Sequence, residues 1–515
     1  MDDLLFSASG RELAEQIKKK KISSSELVDF HIRYLRKINP VINAIAVPLF
    51  ESAIDCAKKA DELLARRDPS DLPDFFGVPC SIKASYSIKN QIWFGGSHYR
   101  TQIVANSNAY GVEKYIGAGL IPICTSNMSE GGMWMDAENS VVGRTNNPHD
   151  ITRSPGGSSG GEGSLIAAGA TPLGLGSDTG GSIRYPAAFC GVSGHKPTGG
   201  IIPLTGSWPT THGSIEYLTC SGPMARRASD LFPLFNLLLG GAKHLLASEC
   251  SHIESTNQIS FKNRTIYYYS EDGRYKTDND IKACVDFAVM RAGSLGFKLE
   301  KWRPPFIEEG FEIFTTILQN APEAVTGEEL LANGNSVNPI IELLKSIIGA
   351  NIHTVPTSLM ILLEKLIKHP EKTIKRYLEQ AEQMKLEVNA KLSGGNLIIS
   401  PVYPSKAVKH KMDIYCPYKV GNTSCYNFLG LPASVVPVLW DKDQLPLSVQ
   451  IIGSKGMDYL TMALAEKLED FKIPPFRNLL IQAKCKKEVP LVSGQLVGKK
   501  TSTTSPRAIC PPSAT

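Results

Sequence analysis

The chain has 515 residues, 42% hydrophobic and 20% charged, with a formal net charge of +5. Those figures describe a soluble globular protein large enough to bury an extensive core, and they exclude a fibrous or wholly disordered chain. Residues 471–515 hold eight Lys or Arg against one Glu, so the body of the chain is near neutral and carries no dedicated nucleic-acid surface.

The 11 cysteines are odd in number and form no C-x-x-C pair, which points to reduced thiols in a cytoplasmic setting rather than a disulfide frame or zinc site. The 10 histidines include no H-E-x-x-H, so no metal is implied. "MDDLLFSASG" has no basic-then-apolar signal pattern. No charge-free apolar run reaches the roughly 18 residues that a transmembrane helix needs.

In chain order, Lys18–Lys21 reads as a solvated helix end. "ISSSELVDFHIRYLRKI" then predicts a helix opened by a capping box, Ser23 with Glu26. "ESAIDCAKKADELLARR" predicts a second helix. "FFGVPCSIKASYSIKN" predicts a turn and a short apolar strand, Cys80 to Ile82, ending at Lys83. From Asn146 to Thr198 glycine, serine and proline dominate, but "SLIAAGATPLGLG" is apolar enough to bury. We therefore expect an ordered segment there: a helix over Gly163–Ala170, a strand, then a loop. "RTIYYYSEDG" predicts a strand, and "DIKACVDFAVMRAGSLGF" a helix stopped at Gly296. Strand followed by helix implies an α/β layout. A helical stretch covers about 307–392. Within it, Ser358–Lys368 has a broad apolar face that suits packing on the core, a lipid surface or an apolar substrate channel. "NLIISPVYP" and "LPASVVPVLW" predict buried strands, and the basic Ser/Thr/Pro-rich end predicts disorder.

The glycine-rich stretch "SDTGGSIRYP" (Ser177–Pro186) raises the chemical question. It is no phosphate loop, because no lysine follows its glycines. "GLGSDTGG" is one residue off the dinucleotide spacing, and G-x-S-x-G is absent. Nucleophilic catalysis by Ser182 remains, and a serine hydroxyl needs a base. His195 could serve within a Ser-His-Asp triad. Lys83 could serve if burial keeps it neutral, since burial lowers a lysine pKa by up to about 3–5 units.

The block "GRTNNPHDITRSPGGSSGGEGSLIAAGATPLGLGSDTGGSIRYPAAFCGVSGHKPT" closely resembles the signature of the amidase signature family. "GVPCSIK", "CSGPM" and "NFLGLPASVVPV" resemble its other landmarks, and the resemblance runs from about Leu5 to Asp470. It implies one domain over 1–470: a large twisted mixed sheet with helices on both sides, a catalytic core about 75–225 and a helical insertion about 307–392. A tail, 471–515, follows. It implies Ser182 as the acyl-forming nucleophile, Ser158 after a cis Gly157–Ser158 peptide as the bridge, and Lys83 as the base. Backbone N–H groups of Thr179, Gly180, Gly181 and Ser182 are implied as the oxyanion hole. Ser159, Asp178 and Arg184 match supporting polar residues, with a purely structural Asp178–Arg184 pair as the alternative. Gly132 and Met133 lie where the family's acyl pocket is lined. No cofactor is implied.

Within the family, "GGSSGGEG" with Glu162, "GHKPTGGIIP" and the apolar-helix region resemble fatty-acid amide hydrolases, chiefly the second type. That resemblance implies lipid-like amide substrates. The alternatives are the A-type glutaminase subunit of a glutamyl-tRNA amidotransferase, a broad small-amide amidase, and, from another class, an inactive lipid-binding relative. No apolar anchor precedes Leu4, so membrane contact is expected to be peripheral, on intracellular membranes, through regions such as Leu359–Ile367. A homodimer is compatible with the resemblance.

Overall fold

Eleven strands of the chain hydrogen-bond into a single mixed sheet. The computed structural model describes residues 2–248, 250–333, 335–366, 369–415, 417–472 and 479–480. The strands are β1 (Ile45–Pro48), β2 (Pro79–Lys83), β3 (Ile121–Ser126), β6 (Leu173–Asp178), β7 (Ser193–Lys196), β8 (Cys220–Ala225), β9 (Thr265–Tyr268), β10 (Lys298–Lys301), β11 (Leu397–Pro401), β12 (Ala433–Trp440) and β13 (Pro446–Ile452). A separate hairpin pairs β4 (Glu138–Asn139) with β5 (Gly143–Arg144). Sheet order is β1-β3-β2-β6-β8-β7-β12-β13-β11-β9-β10.

Apolar side chains alternate between the two sheet faces, as the period of a strand requires. Leu173 and Leu175 of β6, Val436 and Val438 of β12, and Val449 and Ile451 of β13 join one core. It is covered by the helices Leu231–Leu239, Asn279–Ser294 and Asp458–Leu468. On the opposite face Met224 and Val435 pack with Ile166 and Ala187, from the helices Gly160–Ala167 and Arg184–Cys190. Helices thus flank the mixed sheet on both sides, as expected. The capping box of Ser23 and Glu26 opens the helix Ser24–Ile42.

The predicted helix over Gly163–Ala170 instead spans Gly160–Ala167. Close contact, not propensity, sets its start. A Cβ on Gly161 would lie 2.3 Å from the Asn127 carbonyl oxygen, and one on Gly174 would lie 1.9 Å from Glu162 Oε2. Only glycines let this helix rest so near both the loop after β3 and the strand β6.

β2 runs parallel to β6, with Ile82 level with Leu175. Their carboxyl ends therefore leave the sheet at the same edge, where open α/β sheets present their reactive groups. Lys83 closes β2, and Ser177–Asp178 closes β6.

The stretch 307–392 is helical. It contains Gly310–Asn320, Gly327–Ala332, Pro339–Ile347, Val355–Leu366 and Glu371–Leu392. Of the expected Ser358–Lys368 helix, Ser358–Leu366 forms part of Val355–Leu366, and residues 367 and 368 lie outside the described residues. Its Ile361 is buried in a small cluster with Leu331 and Val337. The expected disorder of the tail concerns residues almost all outside the described ones. Among the described residues no helix is long and apolar enough to cross a membrane.

Candidate active site

β2 delivers Lys83 into a space without solvent, where the side chain is 0% exposed. Its Nζ lies 2.6 Å from Ser158 Oγ, 2.9 Å from Ser177 Oγ and 3.4 Å from the Ser177 carbonyl. Burial drives the Lys83 pKa from 10.5 down to about 7, against the opposing pull of the Asp178 and Glu162 carboxylates. Charge without water is costly, so the neutral amine is populated near neutral pH.

Ser158 follows a cis peptide, Gly157–Ser158. The adjoining Ser159 amide donates to the Ser182 carbonyl at 3.2 Å, which holds the Ser182 turn against the Ser158 segment. Ser159 Oγ donates to the Ser177 carbonyl at 3.1 Å. Ser182 is part-exposed, and its hydroxyl has no hydrogen-bond partner among the described residues. It is the accessible member of the group.

Asp178 and Arg184 shape the turn between them. Asp178 Oδ1 accepts the Gly181 amide at 2.8 Å, and Oδ2 accepts the Ile183 amide at 3.1 Å. Arg184 bonds Asp178 through Nε and Nη2, both at 3.0 Å, with both side chains 0% exposed. Burial disfavours the Asp178 carboxylate, but the Arg184 guanidinium, then Lys196 and Asn427, outweigh it and hold its pKa well below the usual range. Arg184 also donates to the Thr423 carbonyl at 2.9 Å and to Asn427 Oδ1. Of the two sequence readings of this pair, the structure shows both at once: an ion pair, and a scaffold for the Gly181 and Ile183 amides.

One expected donor is otherwise engaged. The Gly181 N–H points to Asp178, so it is withdrawn from the oxyanion hole that the sequence implied. The amides of Thr179, Gly180 and Ser182 have no acceptor among the described residues, and these three remain available. Gly181 has φ +133°, and a Cβ there would lie 2.4 Å from the Tyr185 ring. Its glycine requirement is steric and conformational.

Gly132 comes close to the reactive group: a Cβ on it would stand 3.7 Å from Ser158 Oγ. Met133 packs against the cluster of Leu331 and Ile361 from the helical stretch. Phe314 faces Gly180, with ring atoms 3.6 Å from where a Cβ would be.

The histidine alternative fails. His195 Nδ1 lies 2.9 Å from Ser434 Oγ, and Nε2 lies 3.1 Å from Asp458 Oδ1. All three residues are 0% exposed, so this serine, histidine and aspartate brace β7, β12 and the helix Asp458–Leu468 where no substrate reaches. Ser182 is not in the network.

Sequence reasoning missed Ser177 and the placement of Glu162. Ser177 stood inside "SDTGGSIRYP", yet a serine one residue before an aspartate carries no signal of its own. Glu162 accepts from Ser81 Oγ at 2.6 Å. Burial pushes its carboxyl up to about 7, opposed by Ser81, Ser126 and Lys83. Its signal was an acidic residue in an otherwise uncharged glycine-rich helix.

The amidase family model matches residues 26–462. The chain belongs to the amidase family. This amidase is a hydrolase of amide carbon–nitrogen bonds. It is 33% identical to fatty-acid amide hydrolase 2-B of Danio rerio over 481 residues, covering 90% of this chain and 89% of that one. It is 36% identical to the A-type component of glutamyl-tRNA(Gln) amidotransferase from Sulfurihydrogenibium sp. over 325 residues, covering 61% of this chain and 64% of that one. The solved structure of a fatty acid amide hydrolase superposes with a TM-score of 0.72 at 20% identity, over 92% of this chain and 85% of that one; this is a likeness of fold.

The Arg184→Leu change strands the Asp178 carboxylate in the core. We expect a loss of about 3–5 kcal/mol in stability, the usual result of removing one partner of a buried pair. Denaturant unfolding followed by tryptophan fluorescence measures it.

Proposed function

We propose that this amidase hydrolyses fatty-acid amides through an acyl-enzyme on Ser182, with Ser158 as proton bridge and Lys83 as base. The observation that carries the reading is a solvent-free lysine at hydrogen-bond distance from Ser158, beside a part-exposed serine whose hydroxyl is unengaged. Neutral Lys83 accepts the Ser158 proton, and Ser158 accepts the Ser182 proton as Ser182 Oγ attacks the amide carbon. The oxyanion meets the amides of Thr179, Gly180 and Ser182, fixed donors in a site poor in water. As the tetrahedral species collapses, the same path returns a proton to the leaving nitrogen. Water then cleaves the ester, with the relay running as before. The base works only when neutral, so activity rises as pH increases through about 7, the value to which burial lowers Lys83.

Two observations favour a lipid-like acyl group. The relatives named fatty-acid amide hydrolase match nearly end to end, whereas the amidotransferase component named above matches 61% of the chain. The helical stretch also sets apolar side chains, Met133 and Phe314 among them, around the approach to the site.

The exposed apolar surface differs in place from expectation. Leu363 and Leu366 are 42% and 70% exposed, but the larger ridge is the preceding helix, with Leu344 at 61% and Ile347 and Ile348 at 79%. We read this ridge as the peripheral membrane contact, since large exposed apolar patches mark such surfaces.

Purified protein should label with a fluorophosphonate, lose labelling in Ser182→Ala and keep it in Ser159→Ala. Lys83→Ala should abolish amide turnover at pH 7 and regain part of it at high pH, where hydroxide replaces the base; full activity at pH 7 removes Lys83 from the mechanism. In a panel of oleamide, acyl ethanolamides, glutamine and acetamide, the long-chain amides should lead by at least about 10-fold in kcat/KM, the order expected from burying a few methylenes. Preference for glutamine overturns the reading in favour of an amidotransferase-type glutaminase. Replacing Ile347 and Ile348 by Asp should reduce co-sedimentation with phosphatidylcholine vesicles; equal binding rejects the ridge.

A further inference from the structure

The loop after β3 reaches Ser158 by its backbone. The Ser129 amide donates to the Ser158 carbonyl at 3.3 Å, and Gly132 stands next to Ser158 Oγ. Gly131 and Gly132 take φ values of +56° and +71°, so side-chain packing alone does little to define this turn. Between Ser129 and Gly131 sits Glu130, 1% exposed. Its carboxylate is directed toward the helical insertion. Oε1 lies 2.6 Å from His353 Nδ1, and Oε2 accepts the Thr354 amide at 2.8 Å.

His353 and Thr354 form the turn between the helices Pro339–Ile347 and Val355–Leu366. His353 is 1% exposed. Thr354 starts the second helix: its carbonyl accepts the Ser358 amide at 2.9 Å, and its Oγ1 accepts the Thr357 amide at 3.4 Å. From the first helix Glu342 Oε2 accepts the Ile352 amide at 2.7 Å and the His353 amide at 3.2 Å. A continuous set of directional bonds therefore runs from the apolar ridge helix, through His353, to the turn that lies against Ser158. The apolar contacts around it are different in kind. Met133 meets Leu331 and Ile361, and such contacts tolerate sliding, whereas a buried hydrogen-bonded carboxylate fixes one register.

The geometry points to Glu130 and His353 as a pair of positioning residues that set acyl-chain selectivity. They fix the height of the Gly132–Met133 backbone against Ser158, and thus the width of the entry to the acyl pocket. This rests on the reading of Gly132 and Met133 as pocket lining given above. The substrate never touches the pair, which acts through the loop.

The test compares His353→Leu, His353→Asn and Glu130→Gln with the unaltered protein, using oleamide and butyramide and measuring kcat and KM for each. An asparagine amide nitrogen occupies the place of Nδ1 and can donate to Glu130; leucine cannot. In His353→Leu the ratio of kcat/KM for oleamide over butyramide should fall by about 10- to 100-fold, mostly through KM for oleamide, because small misplacements in a site carry penalties of that order. His353→Asn should recover most of the ratio, and Glu130→Gln should lower it in the same direction. Equal losses on both amides, or a ratio unchanged in His353→Leu, overturn the proposal. If His353→Leu does not fold, judged by circular dichroism, Glu130→Gln decides: an unchanged ratio there overturns the proposal. Fluorophosphonate labelling of the unaltered protein separates the two levels. Failure to label Ser182 rejects the catalytic reading, whereas normal labelling with an unchanged ratio rejects only the role of this pair.

Discussion

Burial of the Lys83 amine is the constraint on which the rest of the site depends. An exposed lysine keeps its proton at neutral pH and cannot accept one. With Nζ cut off from water, the charged form loses its hydration and the pKa falls to about 7. The sheet makes this burial possible. β2 has neighbours on both sides and is buried along its length, so its last side chain emerges beneath the turn after β6 and not at the surface. What the amine loses in water it recovers in part from the hydroxyls of Ser158 and Ser177. Two buried carboxyl groups moderate the effect. Asp178 and Glu162 both favour the protonated amine, and Glu162 is itself pushed toward neutrality by the same lack of water.

A second layer of structure keeps backbone amides pointing in useful directions. Asp178 is ionised inside the core because Arg184 stands beside it, and that carboxylate engages the Gly181 and Ile183 amides. The turn is thereby divided: some N–H groups are consumed in holding its shape, and those of Thr179, Gly180 and Ser182 are left over. Thr423 Oγ1 completes the frame by donating to the Gly180 carbonyl at 2.7 Å. Rigidity and reactivity thus come from different amides of one short segment, which supplies donors that need no reorganisation when charge develops.

The helical insertion contributes at longer range. Its outer side exposes large aliphatic residues, and its inner side supplies Phe314, Leu331 and His353 to the surroundings of the site. One element therefore faces apolar surroundings and the acyl approach together, which suits a substrate that partitions into lipid.

Much of this was legible in the chain. The glycine and serine spacing around Ser158 and Ser182, and a lysine closing a short apolar strand, identified the reacting groups because such chemistry demands those residue types. Capping residues located the helix after Ser23, and alternating apolar residues located β12. Tertiary structure decided what no local pattern encodes. The start of the helix at Gly160 depends on how near Asn127 comes. The Gly181 amide is taken by a carboxylate three residues earlier, a matter of turn geometry. His195 found Ser434 and Asp458, far away in the chain, and became a buried brace. Ser177 and the Glu130–His353 contact join segments whose sequences say nothing of each other. Composition and short-range spacing determine which residues can react. Which lysine is dry, which amide is free and which acid meets which histidine are set by packing between distant segments, because desolvation and hydrogen-bond geometry exist only once those segments meet.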